Sequence, residues 1–130
     1  MPRRRQYAMQ DYRKLKVWNR AYANAIAIRD ASNQFPRTGY QSLRTQMTSA
    51  AESVVFNIAE GCGSRSAKDF ARFLDISIKS TIELETELKL AKDYRILKID
   101  AWHPISEENE TIRKMLCGLR KKVLSSDNSR

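Results

Sequence analysis

The sequence NIAEGCGSRS at residues 57–66 decides how this chain divides into helices. Gly61 and Gly63 can adopt the positive φ that closes a helix at little cost. Ser66 is followed three residues later by Asp69, which is typical of an N-cap with an acidic group in the first helical turn. The stretch therefore predicts the end of one long helix and the start of the next.

Two residues of this stretch do not follow from helix propensity. Asn57 is a poor residue for the middle of a helix. Glu60 places a negative charge in the last turn, where the helix dipole disfavours it. Residues that break local rules tend to be compensated by specific contacts, so we expect both side chains to have a defined role.

Apolar residues with helical spacing occur on both sides of this turn. Upstream, the pattern predicts a helix over residues 13–34 that is ended by Pro36. A capping box formed by Thr38 and Gln41 predicts the start of a second helix over residues 39–60.

Downstream of the turn, the pattern predicts a long third helix over residues 67–95. A fourth helix runs to residue 124, with Asp100 as N-cap and Pro104 tolerated in the first turn. Four amphipathic helices with short connections predict an all-α fold, an up-down-up-down four-helix bundle.

The chain of 130 residues fits one domain. Composition predicts a flexible basic N-terminal arm over residues 1–12, a bundle domain over residues 13–124 and a disordered polar tail over residues 125–130. No apolar run approaches the length of a membrane span, and no secretory signal is visible. Two cysteines without a framework spacing predict reduced thiols, so we expect a cytoplasmic protein without a membrane partner.

Several short motifs occur in the order found in one known family. They are Tyr12-Arg13-Lys14-Leu15-x-Val17-Trp18, Phe35-Pro36, Leu43-Arg44-x-Gln46, Asn57-Ile58-Ala59-Glu60-Gly61, Phe70, Phe73-Leu74, Ser80-x-x-Glu83-Leu84-Glu85-x-x-Leu88 and Met115-Leu116-x-Gly118-Leu119. In this combination, over residues 11–124, the chain resembles the four-helix-bundle proteins encoded in intervening sequences of bacterial 23S ribosomal RNA genes. Those proteins are in turn similar to the accessory variability determinants of diversity-generating retroelements.

The resemblance implies a homopentameric ring with no known enzymatic activity. The relation to retroelement proteins adds a competing hypothesis, a protein–protein adaptor that serves as an accessory subunit of a reverse transcriptase. The resemblance says much about the fold and little about the biological role.

Residues suited to catalysis are few. His103 is the only histidine, and no Cys/His set with zinc-ligand spacing exists. Glu83 and Glu87 share a helix face, but no Glu-x-x-His motif accompanies them, which argues against a di-iron site. We therefore predict a non-enzymatic protein with no metal and no cofactor, with an enzyme as the alternative hypothesis.

The formal net charge of +9 favours a polyanionic partner, and RNA is the predicted one. The residues predicted to bind it are Arg3, Arg4, Arg5, Arg65, Lys68, Arg72, Arg120, Lys121 and Lys122. Alternatively, these are solvated side chains that serve solubility, with Arg65 paired to Glu60.

Polar and apolar residues outside the core pattern suggest two further features. A polar stripe comprises Gln46, Ser53, Asn57 and Glu60 on the second helix and Ser80 and Glu87 on the third. It is either a structural hydrogen-bond network or the lining of a channel or ligand site at an oligomer centre. Phe56, Ile78 and Ile82 are predicted to lie at an interface between subunits.

Overall fold

A computed structural model of the protein describes residues 10–128. A short 3-10 helix at Tyr12–Lys14 precedes four α-helices, which are α1 (Lys16–Ser32), α2 (Gln41–Cys62), α3 (Ala67–Asp93) and α4 (Ile99–Asn128). The described residues contain no strand. The prediction of an all-helical chain with four main helices is therefore confirmed.

The four helices enclose a hydrophobic core because each has an apolar face with helical spacing. Each helix packs against its neighbours along the chain, and α1 also packs against α4. On α3, the predicted spacing is fully realised, since the buried residues include Phe70, Leu74, Thr81, Leu84 and Leu88. The core has one half around Phe70 and another half around Leu88.

Buried polar side chains cross-link the helices. The Asn24 side-chain amide of α1 donates to the Ile105 carbonyl of α4, at 3.3 Å. The Asn109 amide of α4 donates to the Thr81 carbonyl of α3, at 2.9 Å. Because a buried amide without a partner would cost stability, these bonds fix the relative register of α1, α3 and α4.

The turn between α2 and α3 is partly as predicted. The Ser66 hydroxyl accepts a hydrogen bond from the Asp69 amide at 3.0 Å, so the N-cap is confirmed. The prediction that Gly61 and Gly63 close the helix through positive φ is wrong, since Gly61 lies inside α2 and Gly63 has φ −84°. At Gly61 glycine provides space instead, because an added Cβ would lie 2.8 Å from a ring carbon of Phe70.

The start of α2 also differs from the prediction. The N-cap residue is Tyr40, with φ 59° and no side-chain cap, and Gly39 before it has φ 86°. The capping box of Thr38 and Gln41 is therefore wrong. Two successive left-handed residues turn the chain here, which leaves Thr38 away from the cap position.

The ends of α4 lie outside the predicted bounds. The helix begins at Ile99, so Asp100 is in its first turn rather than at the N-cap, and Pro104 lies in the second turn. There it removes one backbone hydrogen bond of the helix. α4 continues to Asn128, so residues 125–128 are helical where a disordered tail was predicted.

The basic arm predicted over residues 1–12 lies mostly outside the described residues. The ring of Tyr12, within the described part, packs against Trp18 with the centroids 4.7 Å apart. Among residues 10–128, no helix has an apolar stretch long enough to cross a membrane.

Candidate nucleic-acid interface

A cleft of about 740 Å³ opens where the first turns of α3 lie beside the last turns of α4. Its basic lining residues are Arg65, Lys68, Arg72 and Arg120. The first three are close in sequence, because they flank the start of α3, but Arg120 reaches the cleft only through the packing of α4 on α3. The structure thus brings together two groups of residues that the sequence predicted separately. We call this surface the basic cleft.

Two of the four cations of the basic cleft are held by carboxylates. An Arg72 guanidinium nitrogen lies 3.0 Å from an Asp69 carboxylate oxygen, and Arg120 Nε lies 2.5 Å from Asp75 Oδ1. The Arg72 guanidinium also stacks over the Phe73 ring, 4.5 Å from its centroid. Each carboxylate therefore neutralises part of the positive charge that its arginine presents at the cleft.

The other two cations are exposed and unpaired. Arg65 and Lys68 have no ion pair within residues 10–128. The pair between Arg65 and Glu60, which was the alternative prediction, does not form there. Both cations lie beside the N-terminus of α3, where first-turn amides have no intrahelical acceptor and the helix dipole favours an anion.

The remaining predicted basic residues lie elsewhere. Lys122 lines a second cleft, of about 460 Å³, between α1 and α4. Lys121 is exposed and lines neither cleft. Arg3, Arg4 and Arg5 lie outside the described residues. The structure therefore divides the basic run at the end of α4, with Arg120 beside α3 and Lys122 beside α1.

The predicted polar stripe is only partly a network. The Ser80 hydroxyl donates to the Ser53 hydroxyl at 2.8 Å, and the Asn57 amide donates to the Ser53 carbonyl at 2.9 Å. This joins α2 to α3 and accounts for an asparagine in mid-helix. The other two α2 members take no part in it, since Gln46 donates to Ser42 on its own helix and Glu60 is exposed.

Glu87, the last member of the stripe, is buried with 4% of its surface exposed. Neither carboxylate oxygen has a donor within the described part of the chain. Burial, and then the neighbouring Glu83 carboxyl, raise the pKa of Glu87 to about 8. Glu87 is therefore mostly protonated at neutral pH, and in that form its hydroxyl can donate to Glu83.

The three predicted interface residues have different environments. Phe56 on α2 is 61% exposed and Ile82 on α3 is 49% exposed. Ile78 is half-buried, because it packs against the half of the core around Phe70. Phe56 and Ile82 thus present apolar surface to solvent, whereas Ile78 packs on the core of its own chain.

Sequence reasoning missed the two carboxylates that form ion pairs with arginines of the basic cleft. Asp69 and Arg72 are three residues apart, a spacing that allows side-chain contact on a helix, so this pair could have been found. Asp75 and Arg120 are 45 residues apart and come into contact only in the folded chain. No local sequence pattern could therefore predict this ion pair.

The structure shows the surroundings of His103 and Cys62, the histidine and one of the two cysteines considered for catalysis. His103 is exposed, with Nε2 3.5 Å from a Glu107 carboxylate oxygen. Cys62 is buried, which raises the pKa of its thiol to about 11 and disfavours the reactive thiolate. Within residues 10–128, no group of three or more His, Cys, Asp or Glu side chains could hold a metal ion.

Comparison with known families completes the description of the site. A family model described as "23S rRNA-intervening sequence protein" matches residues 13–118, most of the chain. The chain belongs to this family. The match begins just before α1 and ends within α4. It includes Arg65, Lys68 and Arg72 but not Arg120. A search of the curated proteins finds no match.

Proposed function

We propose that this protein is a non-enzymatic, oligomeric RNA-binding protein, and that the basic cleft contacts the phosphates of RNA. The observation that carries the proposal is the convergence of Arg65, Lys68, Arg72 and Arg120 on one cleft from two helices. Membership of a family named after an intervening sequence in ribosomal RNA is consistent with an RNA ligand.

The cleft suits a backbone contact rather than the reading of bases. Its cations outnumber the two carboxylates that partly neutralise them, and the amides at the start of α3 add donors for phosphate oxygens. Phosphate contacts of this kind position RNA without specifying its sequence. The salt dependence of binding then follows from the release of counterions.

We further propose an up-down-up-down bundle that assembles as a homopentameric ring. Along α3, Asp75 pairs with Arg120 whereas the later Glu85 pairs with the earlier Arg113, an order that supports antiparallel packing of α3 on α4. The exposed side chains of Phe56 and Ile82 supply apolar surface for contacts between subunits. A ring would repeat the basic cleft around its axis and strengthen weak contacts through multivalency.

The test is a titration of single-stranded and structured RNA at two salt concentrations. The cleft variant carries Arg65→Ala, Lys68→Ala and Arg72→Ala. A control variant with Arg29→Ala, Lys79→Ala and Lys114→Ala removes the same charge away from the cleft. For single-stranded RNA, each lost phosphate contact lowers the magnitude of the slope of log affinity against log salt concentration by roughly 0.7. We therefore expect this slope to fall in magnitude by about 2 in the cleft variant and to stay unchanged in the control variant.

Two outcomes would contradict the proposal at different levels. If native protein binds no RNA even at low salt, the charge serves solubility and the adaptor hypothesis, with a reverse transcriptase as candidate partner, replaces RNA binding. If the cleft variant binds as well as the native protein, RNA remains the ligand but the contact moves to the N-terminal arm or to Lys121 and Lys122.

The assembly has its own test. Light scattering is expected to give a mass several times that of the 15.1 kDa chain. Phe56→Asp is expected to reduce that mass while circular dichroism stays helical, because Phe56 contributes little to the core of its own subunit. A native protein that remains a monomer at micromolar concentration would contradict the ring.

A further inference from the structure

The opposite end of α3 carries a second unusual surface. α3 has 27 residues, so its two ends are about 40 Å apart. Beyond its C-terminus the rings of Tyr40 and Tyr94 pack together, with centroids 6.0 Å apart and planes at 43°. They are 42% and 53% exposed. With Arg95, Lys98 and Ile99, they form what we call the tyrosine surface.

Two cations, Arg95 and Lys98, follow Tyr94 closely in the chain. Arg95, Lys98 and Ile99 line a cleft of about 720 Å³, which Asp100 also lines. The nearby Asp93 is already engaged by Lys89 and Lys92. Within residues 10–128, neither Arg95 nor Lys98 has an ion pair. The tyrosine surface therefore combines exposed aromatic faces with cations that are free to meet an anion.

The backbone conformation at Tyr40 and at Arg95 favours glycine rather than the residues that are present. Tyr40 at φ 59° and Arg95 at φ 66° are the two non-glycine residues with positive φ in the described part of the chain. For residues other than glycine this conformation costs on the order of 1 kcal/mol. Arg95 holds the turn that ends α3, where the Ile96 amide donates to the Ala91 carbonyl at 3.1 Å, and glycine is the usual residue in such a turn.

We propose that the tyrosine surface binds unpaired bases of single-stranded RNA. Stacked bases lie about 3.4 Å apart, so two rings with centroids 6.0 Å apart leave no room for a base between them. Bases stack instead on the outward faces of Tyr40 and Tyr94, and Arg95 and Lys98 contact the flanking phosphates. Such stacking tolerates any base sequence. The inference rests on the proposed function for the class of ligand and adds a second site, far from the basic cleft.

The positive charge beside the rings favours RNA as the occupant over an apolar peptide. A peptide helix would bury Ile99 and the rings, but it would leave Arg95 and Lys98 without a partner. A single strand satisfies both parts of the surface, because its bases present flat faces and its backbone repeats a negative charge beside each base.

The experiment compares two oligonucleotides with equal numbers of phosphates. One is a short adenosine oligomer, and the other carries abasic sugars at the same positions. The test variant is Tyr40→Asn with Tyr94→Leu, chosen because asparagine tolerates the left-handed conformation and leucine keeps apolar volume. Tyr22→Leu is the matched control, since Tyr22 is a 50% exposed tyrosine on α1.

Native protein and the Tyr22→Leu control are expected to bind the adenosine oligomer about tenfold more tightly than the abasic one, as loss of base stacking implies. The double variant is expected to bind both oligomers alike, at the abasic affinity. Arg95→Gly is expected to lower the affinity for both oligonucleotides equally. The helical circular dichroism signal should be retained, because glycine suits the turn.

Several results would overturn the inference. If native protein does not distinguish the two oligomers, or if the double variant still does, bases do not stack here even though phosphate binding at the basic cleft stands. If the double substitution lowers the mass of the protein assembly in light scattering, the tyrosine surface is a contact between subunits instead. If native protein binds neither oligomer nor structured RNA, this inference and the proposed function fall together.

Discussion

The two ends of α3 use glycine and charge in opposite ways. At the end of α3 that carries the basic cleft, the buried Phe70 ring approaches the backbone at Gly61, and carboxylates pair with two of the arginines. At the tyrosine surface, Tyr40 and Arg95 occupy backbone positions that favour glycine, and Arg95 and Lys98 have no ion pair within residues 10–128. One end is ordered by packing between helices, whereas the other holds local backbone strain.

This difference teaches that a glycine in the sequence and a glycine-like backbone are separate signals. The first marks a close approach of α2 and α3 at Gly61, near the end of α3 that carries the basic cleft. The second is invisible in the sequence and marks positions where a side chain is retained at a conformational cost. If both differences between the two ends of α3 matter, substitutions at each end should change the free energy of unfolding or the affinity for RNA in opposite directions.

The largest expected effect concerns the carboxyl groups of α3. Those near the basic cleft, Asp69 and Asp75, have ion pairs, whereas Glu87, nearer the tyrosine surface, is buried without one. Glu87→Gln removes the ionisable group and is expected to raise the free energy of unfolding by roughly 3 kcal/mol at pH 7. Urea denaturation at a fixed protein concentration measures it, because assembly makes stability depend on concentration.

The pH dependence gives the sign of this prediction. The pKa of Glu87 is about 8 in the folded chain against an ordinary value of 4.5, so the folded state binds more protons between these values. Native stability should therefore fall as pH rises from about 4.5 to about 8 and level off above that. Glu87→Gln should lose this part of the slope, and the control Glu52→Gln, at an exposed site, should keep it. An unchanged slope in Glu87→Gln would contradict the assignment.

The next effect tests the tight packing behind the basic cleft. Gly61→Ala places a Cβ 2.8 Å from a ring carbon of Phe70, and overpacking of this kind destabilises by about 1–3 kcal/mol. Gly118→Ala is the control, because no atom lies within 4 Å of its added Cβ. In the helix interior that change should stabilise by roughly 0.5–1 kcal/mol. The prediction fails if both alanine variants shift stability in the same direction.

The third effect tests strain at the tyrosine surface. Arg95→Gly is expected to stabilise the folded chain by up to about 1 kcal/mol, since glycine adopts positive φ without the cost that arginine bears. The greater flexibility of glycine in the unfolded chain offsets part of this gain. Thermal and urea unfolding measure the change. A clear loss of stability would show that the Arg95 side chain makes a stabilising contact that outweighs the strain.

The smallest expected effect lies in the charge pairing of the basic cleft. Asp75→Asn removes the partner of Arg120, but both side chains are nearly half exposed, so stability should change by less than about 1 kcal/mol. The freed guanidinium should instead tighten RNA binding at low salt, measured by the same titration as the cleft variant. Weaker binding would mean that Asp75 serves to hold Arg120 in position for the ligand.

The fold was predictable because it depends on periodic patterns. The buried residues of α3 follow the spacing that the sequence displays, and the Ser66 cap follows from a local hydrogen bond. The start of α2 at Gln41 was not predicted, because its N-cap residue Tyr40 makes no side-chain cap that a sequence pattern can reveal. At Tyr40 a left-handed turn replaces the cap, and the Tyr94 ring, which is distant in sequence, packs against the Tyr40 ring.

The basic cleft was predictable only in part. Arg65, Lys68 and Arg72 are neighbours in sequence, so their clustering at the start of a helix could be inferred. That Arg120 joins them while Lys122 faces the other side depends on the rotation of α4 about its axis, which tertiary packing sets. The tyrosine surface combines residues from two loops, and their proximity has no local signal.

The buried amides of Asn24 and Asn109 limit how this bundle can move. A slide of α4 by one helical turn, about 5.4 Å, would separate both amides from the carbonyls of Ile105 and Thr81 and leave them unsatisfied in the core. Ratcheting of one helix past another, a common route for conformational switching, is therefore closed to α1, α3 and α4. A conformational change at one end of α3 can therefore reach the other end only if the helices tilt as rigid bodies. The hydrogen bonds of the Asn24 and Asn109 side chains would then act as pivots.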